Sequence, residues 1–219
     1  GKDTLALLPT GGGKSLCYQL PALILEGTCL VISPLLALMK DQVYQLKNNG
    51  IEAEYLSSEL DEFDAETIFN RCKEGLTKLL YVSPERLTNR TFLQNLEEIQ
   101  ISFIAVDEAH CISEWGQDFR PSYLKITEFV EYLPKRPVVS AFTATATKEV
   151  REDMIDILML EDPEVVMTGY DRPNLFLAVQ FPKNKYVALK AFIEEHPDQC
   201  GIVYCLTRKQ VEENCALLE

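Results

Sequence analysis

The 219 residues contain no apolar run that approaches the roughly 18 needed to cross a bilayer, and no signal-peptide pattern opens them. A membrane span is therefore not expected. Cysteine occurs seven times, an odd number, and never as Cys-x-x-C. That speaks against a zinc cluster and against a disulfide framework in this stretch, and for reduced thiols in a cytoplasmic protein, at the nucleoid or in the nucleus according to its source. Positive charge is scarce: 21 Lys and Arg face 34 Asp and Glu, a net charge of −13. Indiscriminate nucleic-acid binding is disfavoured, since phosphate contact needs Lys and Arg.

The acidity is segregated. Residues 1–50 carry four basic and three acidic side chains, whereas residues 52–66 hold seven carboxylates and no base. The second stretch reads as a solvated loop and helix, so any nucleic-acid surface has to be a local patch elsewhere. A composition of 47% hydrophobic and 25% charged residues fits an ordinary globule of one large or two modest domains.

Against these absences stands Pro9-Thr10-Gly11-Gly12-Gly13-Lys14-Ser15, which follows the short apolar run Thr4–Leu8. Three glycines let successive backbone N–H groups converge on one anion, and the helix expected from Ser15 adds its positive N-terminal end. Thr10 to Ser15 thus read as a phosphate cradle, with Lys14 for the β- and γ-phosphates and the Ser15 hydroxyl for Mg²⁺. Leu8 stands where the strict pattern has glycine. Asp107-Glu108-Ala109-His110 follows 93 positions after Lys14, directly behind the apolar run Phe103–Val106. Asp107 there suits a water-mediated Mg²⁺ partner and Glu108 the base that orients the attacking water, the two motifs sitting on adjacent strand ends. The ligands implied are ATP and Mg²⁺.

Strands are expected at Cys29–Ser33, Lys78–Ser83, Ile101–Val106, Pro137–Thr143 and Glu164–Thr168. Amphipathic helices are expected at Leu36–Asn48, Asp64–Glu74, Ser122–Tyr132 and Thr147–Leu158. Such alternation means an α/β fold, a parallel sheet with helices on both faces. Residues 1–168 read as one domain and 169–184 as a linker punctuated by Asp171-Arg172-Pro173-Asn174. Residues 185–219, with a strand at Gly201–Cys205 between two helices, read as part of a second domain too short for a core of its own.

Five segments resemble the RecQ family of superfamily 2 DNA helicases: residues 9–19, Ser33-Pro34-Leu35 with Leu38–Gln42, residues 107–121, Thr143-Ala144-Thr145-Ala146, and residues 171–175. The stretch Cys111 to Pro121, with its Trp115, is the most specific of them. The resemblance implies a RecA-like P-loop domain, followed by the start of a second. It implies an ATP-dependent 3′-to-5′ DNA helicase acting on single-stranded DNA and duplex junctions in repair and recombination. His110 becomes a relay between phosphate site and DNA, through Thr143 or Thr145. Trp115 and Phe119 become stacking faces, and Arg120 a phosphate or cation–π partner. Ser33, Pro34, Ser83, Arg86, Thr143 and Thr145 become strand contacts. Residues 202–208 resemble the first motif of the second motor domain. Gln117 departs from the family, where histidine is common. The family's adenine-reading segment and arginine finger do not occur in the sequence, so this stretch alone is expected to be inactive. Two other readings stay open: an RNA helicase or duplex translocase of the same superfamily, and a non-catalytic nucleotide- or DNA-binding module.

Overall fold

The structure, a computed structural model, describes residues 1–57, 59–116, 118–169 and 174–218. Gln117 and Asp171–Pro173, singled out above, lie outside the described residues. The chain forms two compact units, Gly1–Tyr170 and Asp171–Glu219.

The first unit is built on seven parallel strands: β1 (Thr4–Leu7), β2 (Thr28–Ile32), β3 (Ala53–Leu56), β4 (Leu79–Val82), β5 (Ile101–Val106), β6 (Val139–Thr143) and β7 (Glu164–Met167). Their order across the sheet is β3-β4-β2-β5-β6-β1-β7. The helices of this unit are α1 (Lys14–Ile24), α2 (Leu36–Asn48), α3 (Glu62–Lys73), α4 (Arg90–Leu96), α5 (Lys125–Tyr132) and α6 (Lys148–Ile157). Residues on one strand alternate between two cores, as a strand covered on both faces must. Leu30, Ile32, Leu80, Val82, Ile104 and Val106 face α3, α4, α5 and α6. Cys29, Val31, Leu79, Tyr81, Phe103 and Ala105 face Tyr18 and Ala22 of α1 and Met39, Val43 and Leu46 of α2. This is the RecA-like α/β architecture expected from the motifs.

Two elements escaped the sequence pattern. β3 is an edge strand, and its middle residues Glu54 and Tyr55 stay half-exposed. α4 spans only seven residues, too few to show a periodicity. Helix starts moved where caps dictate: Asp61 accepts from the Asp64 N–H at 2.8 Å, so α3 begins two residues before the expected Asp64.

The second unit holds α7 (Lys185–Glu195) and α8 (Arg208–Leu218). Asn184 caps α7 by accepting from the N–H groups of Tyr186 and Val187, and Tyr186 Oη donates to the Leu217 carbonyl. The strand expected at Gly201–Cys205 does not form. Among the described residues it has no ladder partner, and an unpaired strand leaves its backbone groups unmatched.

Candidate functional site

All the motif segments of the first unit converge on the carboxyl ends of consecutive strands, where open α/β sheets bind ligands. Reading across the sheet, Ser83 ends β4, Ser33 ends β2, Asp107 ends β5, Thr143 ends β6, and the Pro9–Gly13 loop leaves β1. Hydrogen bonds from Ser33 N to Val82 O (3.0 Å), Asp107 N to Ile32 O (2.9 Å) and Leu8 N to Thr143 O (3.0 Å) stitch these ends together. The cradle and the carboxylates are thus not on adjacent strands. β6 lies between β1 and β5, so Thr143 separates them, and two interstrand steps of about 4.8 Å set their spacing.

The cradle is shaped by its glycines. Gly13 caps α1 with φ 82°, a left-handed backbone that side chains disfavour. Gly12 donates to Pro9 O at 2.8 Å, and a Cβ there would sit 2.8 Å from that oxygen. No side chain caps α1 and no acidic residue occupies its first turn. Its positive end therefore faces the loop with no acidic residue in the first turn, beside Lys14 and Ser15, which suits an anion.

Asp107 is buried, and its pKa is pushed up to about 6 by that burial and by the neighbouring Glu108 charge. Its carboxylate accepts from Glu108 N at 3.0 Å, and its carbonyl accepts from Tyr123 Oη at 2.8 Å. Glu108 has φ 46°, one of three non-glycine residues with a left-handed backbone among those described. Such strain at a cleft is where function is sought. It begins a 3-10 turn, Ala109–Ile112, that returns His110 to the Glu108 carboxylate, Nδ1 to Oε2, at 3.3 Å.

His110 Nδ1 also lies 2.9 Å from Thr143 Oγ1. The Thr143 hydroxyl directs its own proton to the Thr145 carbonyl at 3.2 Å. Towards His110 it can only accept, as does the carboxylate, so Nδ1 carries the proton. The pKa of His110 is raised to about 10 by its contacts with the Cys111 sulfur and then with Glu108. The same bond holds Glu108 below the usual glutamate range despite burial. Each partner thereby favours the charged form of the other.

The loop after His110 presents Trp115, 79% exposed, with Phe119 half-buried. Arg120 donates to Asp118 Oδ2 (3.1 Å) and, through Nη1, to Pro34 O (3.2 Å), so it ties this loop to the segment leaving β2. Two expected strand contacts are corrected by burial. Ser33 and Thr143 are 1% and 0% exposed, so neither side chain reaches a strand on the surface. Thr143 serves His110 instead. Arg86 is half-buried and donates to Ser57 O at 2.5 Å, while Ser83 and Pro34 are half-exposed and Thr145 exposed. Sequence reasoning missed Tyr123 and Ser113. Both are buried polar side chains of the carboxylate segment and its loop, and a motif that lists exposed aromatics gives no signal for them.

Residues 1–153 match the model of the DEAD/DEAH box helicase family. The chain is 45% identical to the ATP-dependent DNA helicase RecQ of Bacillus subtilis, over 96% of this chain and 36% of that protein. It is 44% identical to the RecQ of Pasteurella multocida, over 97% of this chain and 33% of that protein. The chain thus spans about a third of the length of these curated relatives. Among solved structures, the helicase Lhr of Mycobacterium smegmatis bound to ssDNA and AMP-PNP superposes with a TM-score of 0.67 at 18% identity, covering 100% of this chain and 32% of that one. That likeness shows the fold. The family match and the relatives named RecQ together establish that this chain belongs to the DEAD/DEAH box helicases and bears out its resemblance to the RecQ type.

Proposed function

We propose that the chain is the ATP-binding motor domain of a RecQ-type helicase that moves 3′ to 5′ on single-stranded DNA and opens duplexes at junctions, in repair and recombination. Residues 185–219 then contribute to the second motor domain. Thr10 to Gly13 and Lys14 cradle the β- and γ-phosphates. Ser15 and Asp107 are the oxygen donors that would hold Mg²⁺, a hard cation that neutralises phosphate charge. The fit rests on a hydroxyl and a carboxylate at the mouth of one cradle, the carboxylate buried and destabilised by a like charge that a cation would offset. Glu108 orients the attacking water and accepts its proton. The observation that carries this reading is the bonded run Glu108–His110–Thr143, which leads without interruption into the loop bearing exposed Trp115. A contact on that loop is one turn of chain from the base.

The test is ATP turnover by the whole protein with no nucleic acid, with single-stranded DNA and with single-stranded RNA. DNA should stimulate turnover at least about tenfold, a change of roughly 1.4 kcal/mol in barrier, and RNA should not. Equal stimulation by RNA would favour the RNA-helicase reading, and none by either would leave a nucleotide-binding module.

A further inference from the structure

The loop bearing Trp115 is fixed by a bond that no motif assigns. Ser113 is fully buried, and its hydroxyl donates to Asp153 Oδ2 at 2.5 Å. Ser113 Oγ itself accepts the Trp115 N–H at 3.2 Å, and Gly116 N donates to Ser113 O at 3.0 Å. One serine thus sets the turn that carries the indole. Gly116 has no room for a side chain, since a Cβ would lie 2.7 Å from His110 O and 3.0 Å from Ser113 O.

Asp153 belongs to α6, which starts at its cap Thr147, directly after Thr143–Ala146. The segments 110–116 and 143–153 are therefore fastened twice, His110 to Thr143 and Ser113 to Asp153. Between the fastenings lies a cavity of about 380 Å³, with His110, Trp115 and Gly116 on one wall and Thr145, Thr147 and Val150 on the other. A displacement of the Trp115 turn has to break the serine–aspartate bond or carry α6 with it. Because α6 continues from the end of β6, carrying it moves the Thr143 side of the His110 contact.

We propose that Asp153 is a positioning residue: it holds the Trp115 turn against α6, so that strand engagement at the loop is passed to β6 and His110. This rests on the function proposed above for its strand arm, whereas the fastening itself is tested without DNA.

Trp115 is the single tryptophan of the chain, so its emission anisotropy and its quenching by acrylamide report on the turn. Asp153→Ala and Ser113→Ala should each lower the anisotropy and raise the quenching constant about twofold. The double variant should be no worse than Ser113→Ala alone, as partners in one bond behave. Asp153→Asn, whose amide oxygen still accepts from Ser113, should stay near wild type. With single-stranded oligothymidylate at low salt, affinity read from Trp115 quenching should weaken about fivefold or more in the alanine variants and recover in Asp153→Asn. If Asp153→Ala does not fold, Ser113→Ala with Asp153→Asn decides the case. Wild-type anisotropy in a folded alanine variant, or an Asp153→Asn as loose as Asp153→Ala, overturns the proposal. A wild type blind to DNA would sink the function reading, and the DNA-free anisotropy would still judge the fastening.

Discussion

His110 Nδ1 and Thr143 Oγ1 are 2.9 Å apart across 33 residues of sequence, and this bond joins the carboxylate motif of β5 to the end of β6. Thr143→Val keeps shape and removes the acceptor. It leaves Glu108 as the one remaining partner of Nδ1 described here, and it removes the donor to Thr145 O. A buried hydrogen bond of this kind is worth about 1–3 kcal/mol when one partner is deleted. DNA-stimulated turnover should fall roughly tenfold while nucleotide affinity changes less than about twofold. Equal losses in both would place Thr143 in nucleotide binding.

Arg120 supplies a second prediction. Its guanidinium is engaged by Asp118 and Pro34 O, which makes it a tie between loops. Arg120→Ala removes both bonds together with the charge and should weaken strand binding severalfold. The slope of log affinity against log salt should stay unchanged. A phosphate contact, in contrast, would take about 1 off that slope when lost.

Stability at low pH depends on Asp3, at the opposite ends of the strands. Burial alone would raise its pKa, yet bonds from Arg136 (2.5 Å) and from the N–H groups of Val139 and Glu161 (each 2.8 Å) hold it below the ordinary 3.8. A carboxylate depressed on folding contributes stability above its unfolded pKa and loses it as pH falls through the folded one. Asp3→Asn should cost about 2–3 kcal/mol at neutral pH. Urea melts should also show it losing less further stability than wild type from about pH 4 to about pH 2. Parallel pH profiles would deny Asp3 this role.

What could be read without coordinates follows from how strongly each residue type constrains its surroundings. β2 from Cys29 to Ile32 and β5 from Phe103 to Val106 are unbroken apolar runs on a two-faced sheet, the pattern of a strand covered on both sides. Gly11 to Gly13 before Lys14 leave little but an anion cradle. The resemblance pairs His110 with Thr143 or Thr145 without choosing between them: a threonine ending an apolar strand packs or bonds with equal ease, and only the fold brings Thr143 to His110. Asp153 sits on an amphipathic helix among Glu149, Glu152 and Asp156, where an acidic residue ordinarily faces water. Its serine partner lies 40 positions away. Pairings at that separation are properties of topology, and sequence spacing carries no trace of them.

Exposure of Trp115 leads to a spectroscopic expectation. Its emission should be red-shifted in the free protein and quenched when oligothymidylate is added at low ionic strength, as bases stack on the indole. Raising salt should reverse the quench as phosphate contacts weaken. Blue-shifted emission indifferent to DNA would show the ring packed and the strand bound elsewhere.

The carboxylate at Glu108, held by His110, is expected to drive hydrolysis in the cradle of Lys14. The most direct measurement compares nucleotide affinity and single-turnover hydrolysis in Glu108→Gln and Lys14→Ala of the whole protein. Glu108→Gln should bind ATP within about twofold of wild type and hydrolyse it at least about a hundredfold more slowly, the scale of a lost general base. Lys14→Ala should lose the binding itself. A Glu108→Gln protein that turns ATP over at a near-normal rate would show that Glu108 is not the base.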